Sequence, residues 1–343
     1  MDFVSRMLSR GVLVAISTLG LLGCRVTDHV DLRYVPQIDG NAFYGRNSAW
    51  LVTRKGDLLR TDSNGRDWET IPGQDVGGFD RISFIDERKG WATTKDRHVQ
   101  RTTDAGQTWV SLARLGAEGI GTGLGEIEFI DEKHGWIVHP LFFWRTEDGG
   151  ATWQEYPSPH SPPAAAFSSF FVTPQVGWLS GSGGAFSRTQ DGGKTWDETG
   201  GIGDRDLGEP CFVDNLVGWV AAGPNDGIYR TDDGGETWSL LQDPGKRPYI
   251  FSVHFSSKTE GWAAWSDGTT GEPSKQEPRV MHTTNGGANW ERVEVTEAKP
   301  FVHKVYFTDR AHGWLLSRDN VHRTDDGGKS WQIVLRLPPV AKD

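Results

Sequence analysis

Five aspartates, Asp104, Asp148, Asp191, Asp233 and Asp326, stand at equivalent places in near-copies of one eight-residue stretch, T-x-D-x-G-x-T-W. Carboxylates beside threonine hydroxyls could ligate a hard cation or move a proton. The stretch recurs seven times, however, ending at Trp68, Trp109, Trp153, Trp196, Trp238, Trp290 and Trp331, with Asn285 in place of the Asp in the sixth copy and Ser63 in the first. No catalytic or metal site needs seven equivalents. A short side chain that hydrogen-bonds nearby backbone N–H groups, followed by a glycine free to take a positive φ, is instead the chemistry of a tight turn. None of the copies matches the D-x-D-x-D-G calcium loop, and no pair of histidines lies at metal-ligand spacing on one strand. Neither a metal nor a cofactor is expected.

The elements that carry these turns follow from the spacing. Successive closing tryptophans lie 41, 44, 43, 42, 52 and 41 residues apart, a period that marks repeated supersecondary units. Upstream of each turn lies a Phe/Trp pair seven residues apart: Phe43/Trp50, Phe84/Trp91, Phe129/Trp136, Phe171/Trp178, Phe212/Trp219, Phe255/Trp262 and Phe307/Trp314. Six of these tryptophans follow a glycine, and Trp50 follows Ala49. Each unit reads as strand A ending near the Phe, strand B opening at Gly-Trp, strand C ending at the motif Thr, and strand D opening at the second Trp. Four short antiparallel strands repeated seven times predict an all-β, seven-bladed β-propeller over residues 40–337. Residues 338–343 are left as a tail.

The eight-residue stretch resembles the Asp-box, or BNR, repeat of sialidase-like propellers. Seven Asp boxes with F-x6-W pairs, behind the leader described below, resemble the photosystem II stability and assembly factor family and its relatives in non-photosynthetic bacteria. That resemblance implies a non-enzymatic scaffold holding a polypeptide. Sialidase-like propellers imply the alternative, a glycoside hydrolase using an R-I-P arginine and a tyrosine nucleophile. Here the first has only Arg81-Ile82-Ser83 to match it, and Tyr249 is the one loop-face candidate for the second.

In such a ring the D–A and B–C loops share one face, and the A–B and Asp-box turns share the other. On the D–A/B–C face, Arg54 and Lys55 of blade 1, Lys95, Arg97 and His98 of blade 2, and Arg318 of blade 7 fall on B–C loops of blades adjacent around the ring. They are the candidate sector for binding a partner. Asp57, Asp96 and Asp319 are interleaved with them, as scattered solvated charge would be. Blade 6 carries the largest insertion, within Trp265 to Arg279, and Trp265 joins the candidate binding residues. A basic residue also precedes every motif Thr: Arg60, Arg101, Arg145, Arg188, Arg230, His282 and Arg323. Its fixed phase predicts a structural bridge to a neighbouring blade, through carbonyls or through Asp86, Asp131, Asp214 and Asp309.

Fourteen of the 16 tryptophans belong to the repeat, so the aromatic excess is scaffold. A formal charge of −10 argues against non-specific nucleic-acid binding. Arg6 and Arg10 precede an apolar run from Gly11 to Leu22, too short to span a bilayer as a mature helix. Leu21-Leu22-Gly23-Cys24 then resembles the bacterial lipobox, which implies cleavage of residues 1–23 and lipidation of Cys24. Residues 24–39 become a tether, with the Val30 to Val35 patch able to add a closing strand. The expected protein is a monomer, anchored by lipid outside the cytoplasm, in the periplasm, at the outer surface, or in a thylakoid lumen if the source is photosynthetic. Cys211 is then left without a partner and reads as a buried strand thiol.

Overall fold

In the computed structural model the described residues are 38–73, 77–116, 123–159, 166–198, 202–223, 226–241, 249–266, 278–295, 302–317 and 320–337. They form seven four-stranded antiparallel sheets, each built from four strands consecutive in sequence. Among the described residues no strand is exchanged between the first and last blades. The blades begin at Ile38, Phe79, Glu126, Ala166, Cys211, Tyr249 and Val302. Blade 1 starts two residues inside the segment read as tether, and the patch from Val30 to Val35 lies outside the described residues, as does 338–343. Strand A ends at or just past the Phe, B opens at the Gly or one residue before Ala49, and C ends on the motif Thr. Strand D differs slightly from expectation, opening one residue after the second Trp, which stays in the turn.

The turn chemistry is local and repeated. In the fifth copy, Thr231 Oγ1 accepts the Gly235 N–H at 2.9 Å and donates to Asp233 Oδ1 at 2.7 Å. Asp233 then accepts the Thr237 N–H at 2.9 Å and the Thr237 hydroxyl at 2.6 Å. Gly234 and Gly235 take φ of 79° and 94°, open to glycine without a Cβ clash. Asn285 and Ser63 keep the essential bond, accepting the N–H of Asn289 and Asp67 at 2.9 Å.

Packing between blades is equally periodic. The strand-B Trp of one blade lies flat on the strand-A Phe of the next: Trp50 on Phe84, Trp91 on Phe129, Trp136 on Phe171, Trp178 on Phe212, Trp219 on Phe255 and Trp262 on Phe307, with centroids 3.5–3.9 Å apart. The same indole donates its N–H to a backbone carbonyl in the next blade's Asp-box turn, as Trp178 does to Gly234 at 2.7 Å. The second Trp of blades 2 to 7 then meets that Phe edge-on, as Trp196 does Phe171, whereas Trp68 of blade 1 meets Trp314 edge-on. The strand-B glycine makes room for the ring, since a Cβ on Gly177 would lie 2.3 Å from Phe171. The seven strand-B indoles are among the largest fully buried side chains, and burying them stabilises the fold by roughly 25 cal/mol per Å² of apolar surface.

Candidate binding site on the loop face

The first strands of successive blades lie side by side and so line the central channel. An innermost strand has no further strand to take its outward N–H groups, and side chains of the neighbouring blade supply the acceptors. Ser83 Oγ accepts the Phe129 N–H at 2.9 Å, Glu128 Oε1 that of Phe171 at 2.8 Å, and Cys211 Sγ that of Phe255 at 3.3 Å. Cys211 is buried, as expected of a strand thiol, and burial pushes its pKa up to about 11 against the Phe255 N–H bond. Glu128 is the charged member of this set. Burial raises it to about 7, although the Ser169 hydroxyl at 2.7 Å and the Phe171 N–H both favour the carboxylate. Burial, with Lys304 nearby, lowers His254 to about 4, so this imidazole is neutral.

Two ion pairs sit towards the loop-face end. Arg81 donates to Glu126 at 2.9 Å and to Asp80 at 2.8 Å, and Lys304 of blade 7 pairs with Glu209, which precedes blade 5. Burial works against the charge on Arg81, and Glu126 and Asp80 more than restore it. Asp39 and Asp80 both have raised pKa values, from burial first, with Arg81 opposing.

Above this mouth the B–C turns of blades 1 and 2 are joined through Gly77-Gly78. Phe79 N–H donates to Gly56 O at 2.9 Å and Lys95 N–H to Gly78 O at 3.0 Å, while a Cβ on Gly56 would meet Gly78 Cα at 2.8 Å. Lys95 Nζ reaches the Arg54 carbonyl, so the two turns form one surface. The sequence-predicted residues divide here. Lys55 is exposed and Arg54 half-exposed, with Arg54 4.0 Å from Asp39. His98 pairs with Asp96 at 3.2 Å. Asp96 is itself held below the usual carboxylate range, burial being outweighed by hydrogen bonds from Thr94 and His98.

Arg97 does not stand out into solvent. It is 8% exposed, with φ of 72° in the tight turn. Trp265 is 3% exposed, a strand residue opposite Ile250, packed in the core with Cys211, Trp219 and Met281. Its place at the edge of a polar insertion suggested a loop, but the strand runs on to Ser266 and takes the indole inside. Arg318 and Cys24 lie outside the described residues, as do most of the blade 6 insertion and the side chain of Tyr249.

Asp86, Asp131, Asp214 and Asp309 were expected to meet the repeated basic residues, and they take a different role. Each caps its own A–B turn by accepting backbone N–H groups, such as Lys89 and His134 at 2.6 and 2.7 Å, or Val217 and His312 at 2.7 and 3.0 Å. The basic side chains mostly find the acid one residue after the motif Thr, as in Arg60–Asp62 at 2.8 Å and Arg145–Glu147 at 2.5 Å. Contact with the next blade survives in Arg101–Glu132 at 3.3 Å, Arg188–Glu236 at 3.9 Å and Arg230 to the Gly286 carbonyl at 3.4 Å. The sequence carried a signal for the intrablade pairing, an acid following Thr61, Thr146, Thr231 and Thr324.

A polar cleft of about 450 Å³ was not anticipated. It lies on the Asp-box face where blades 1 and 2 meet, lined by Asn47, Arg60, Asp62, Arg88, Asp104 and Gln107 among others. No group of three or more His, Cys, Asp or Glu among the described residues is placed to hold a metal ion.

The chain is similar to known proteins in both sequence and fold. The family model described as photosynthesis system II assembly factor YCF48 matches residues 117–239. No curated protein matches the chain. Among solved structures, YCF48 bound to D1 peptide is 19% identical with a TM-score of 0.65, covering 86% of this chain and 93% of that one. YCF48 from Cyanidioschyzon merolae is 18% identical with a TM-score of 0.64, covering 87% and 98%. The GH74 xyloglucanase from Xanthomonas campestris is 14% identical with a TM-score of 0.69, covering 88% of this chain and 55% of that one. With the seven repeated turns and their paired aromatics, these likenesses make the chain an Asp-box β-propeller resembling the photosystem II assembly factor family.

Proposed function

We propose that this propeller is a non-enzymatic scaffold, tethered through lipid on Cys24 outside the cytoplasm, that holds an extended or unassembled polypeptide on its loop face. The reading is carried by one observation: the likeness to YCF48 bound to D1 peptide runs through nearly the whole ring, so a peptide-holding propeller is a direct precedent for this architecture. The B–C turn of blade 1, joined to that of blade 2, supplies an exposed Lys55 and a half-exposed Arg54 on an acidic protein, suited to acidic groups of a partner. Arg318 belongs to the same sector by repeat position.

The test is partner recovery. Membranes carrying wild type or the Arg54→Glu/Lys55→Glu double variant are crosslinked and the captured polypeptides identified. A defined partner lost from the variant, at unchanged thermal stability, is the expected result; equal recovery removes this sector as the site. Cys24→Ser should separately move the protein from the membrane to the soluble fraction.

The GH74 likeness gives a hydrolase reading one point of support. Against it, Arg81, the best match to a substrate-carboxylate arginine, is already engaged by Glu126 and Asp80. Release of a fluorogenic glycoside by the purified domain, abolished in Tyr249→Phe, would favour that reading.

A further inference from the structure

Six of the seven blade junctions are alike, and the one joining blade 7 to blade 1 is not. Across the six, the strand-B indole donates to the next blade's Asp-box turn at 2.7–3.3 Å. At the seventh, Trp314 Nε1 is buried without a hydrogen-bond partner and Trp68 bonds across the seam instead, whereas at four regular junctions it is the closing indole, Trp196, Trp238, Trp290 or Trp331, that is left unpaired. Asn64, in the blade 1 turn where Trp314 should find its carbonyl, has φ of 71° and a buried Oδ1 that is also unpartnered. Phe43 sits 5.6 Å from Trp314 at an interplanar angle of 23°, against 3.5–3.9 Å and 4–10° elsewhere.

One substitution in the repeat accounts for the displaced ring. Phe43 is paired in register with Ala49, where every other blade has glycine. A Cβ at those glycines would lie 2.3–2.7 Å from the phenylalanine ring. The Ala49 methyl occupies that space, so Phe43 is displaced, its stack on Trp314 is loosened, and it also stacks on Tyr306 at 5.3 Å. What remains across the junction includes the Trp68 indole to the Val334 carbonyl at 3.0 Å and an exposed Arg46–Asp309 pair at 3.6 Å. An exposed pair adds little.

We infer that the ring opens at the blade 7–blade 1 junction, a built-in hinge that lets the propeller part there while the other six junctions stay closed. The loosened stack, the feature particular to this junction, raises the population of the parted state by roughly two- to tenfold relative to a regular one. Among the described residues no strand bridges blades 1 and 7, so parting there breaks no described sheet.

Hydrogen exchange of the full chain, read by mass spectrometry, tests this. Peptides spanning Ile38–Thr53 and Gly313–Arg336 should exchange together, ahead of those from blades 3 to 6. Ala49→Gly, which restores the repeat, should slow that exchange several-fold, although glycine on its own loosens a strand. Gly177→Ala should bring the blade 3–blade 4 junction up to a comparable rate. Even protection around the ring overturns the inference, and so does early exchange at the seam that Ala49→Gly leaves unchanged, because that is simple fraying of chain ends.

Discussion

Carboxylates in the Asp-box turns and those along the innermost strands behave oppositely. In the Asp-box turns, Asp104, Asp148, Asp191 and Asp326 lie below the usual range and Asp233 falls to about 2. For Asp233 burial is outweighed by donors from Thr237 and Thr231 in its own turn. Along the innermost strands and the loop-face mouth, Asp39, Asp80 and Glu128 are raised, burial being the leading cause in each. A group the repeat supplies seven times comes with its partners built in. Asp39, Asp80 and Glu128, which the repeat does not supply, are instead held against their solvation preference by the surrounding fold.

Four measurements press on that contrast. The repeated side should show the largest losses: Trp178→Ala removes a fully buried indole, its stack on Phe212 and its bond to Gly234, and should lower unfolding free energy by about 3–5 kcal/mol in denaturant titration. Asp233→Ala deletes three hydrogen bonds of one turn and should cost about 1–2 kcal/mol without altering partner recovery. Loss of the partner at unchanged stability would place binding on the Asp-box face and break the contrast.

Glu128→Gln should act in the other direction. A carboxyl raised in the folded state gives its full contribution below the unfolded pKa, near 4.5, and loses it as pH rises through about 7. The variant should therefore melt roughly 2–4 °C above wild type at pH 8 and match it near pH 4. A variant less stable at pH 8 would show that the charge is favoured. The smallest effect on stability, within about 0.5 kcal/mol, belongs to Arg54→Glu/Lys55→Glu, the pair whose proposed role is in binding.

How far the chain could be read in advance depended on range. The Asp box was legible because each bond in it spans two to four residues, so residue type and spacing already specify the turn. Blade number and strand order followed from counting turns. Trp265 and Arg97 were legible only as residue types at a loop edge, since burial depends on how far a strand runs and which neighbour covers it. The partners of the repeated arginines were half legible: a fixed phase announced a structural role, but an acid two residues away and an acid in the next blade are equally compatible with it.

The sequence alone thus determined seven units, their turns and their aromatic pairs, because those rest on contacts within one unit and recur often enough to stand out. Tertiary structure decided the channel wall, the linked B–C turns of blades 1 and 2, and the manner of closure. These arise between units, where a single methyl at Ala49 changes how one ring meets an indole, and no local pattern reports a contact such as Phe43–Trp314, made across 271 residues.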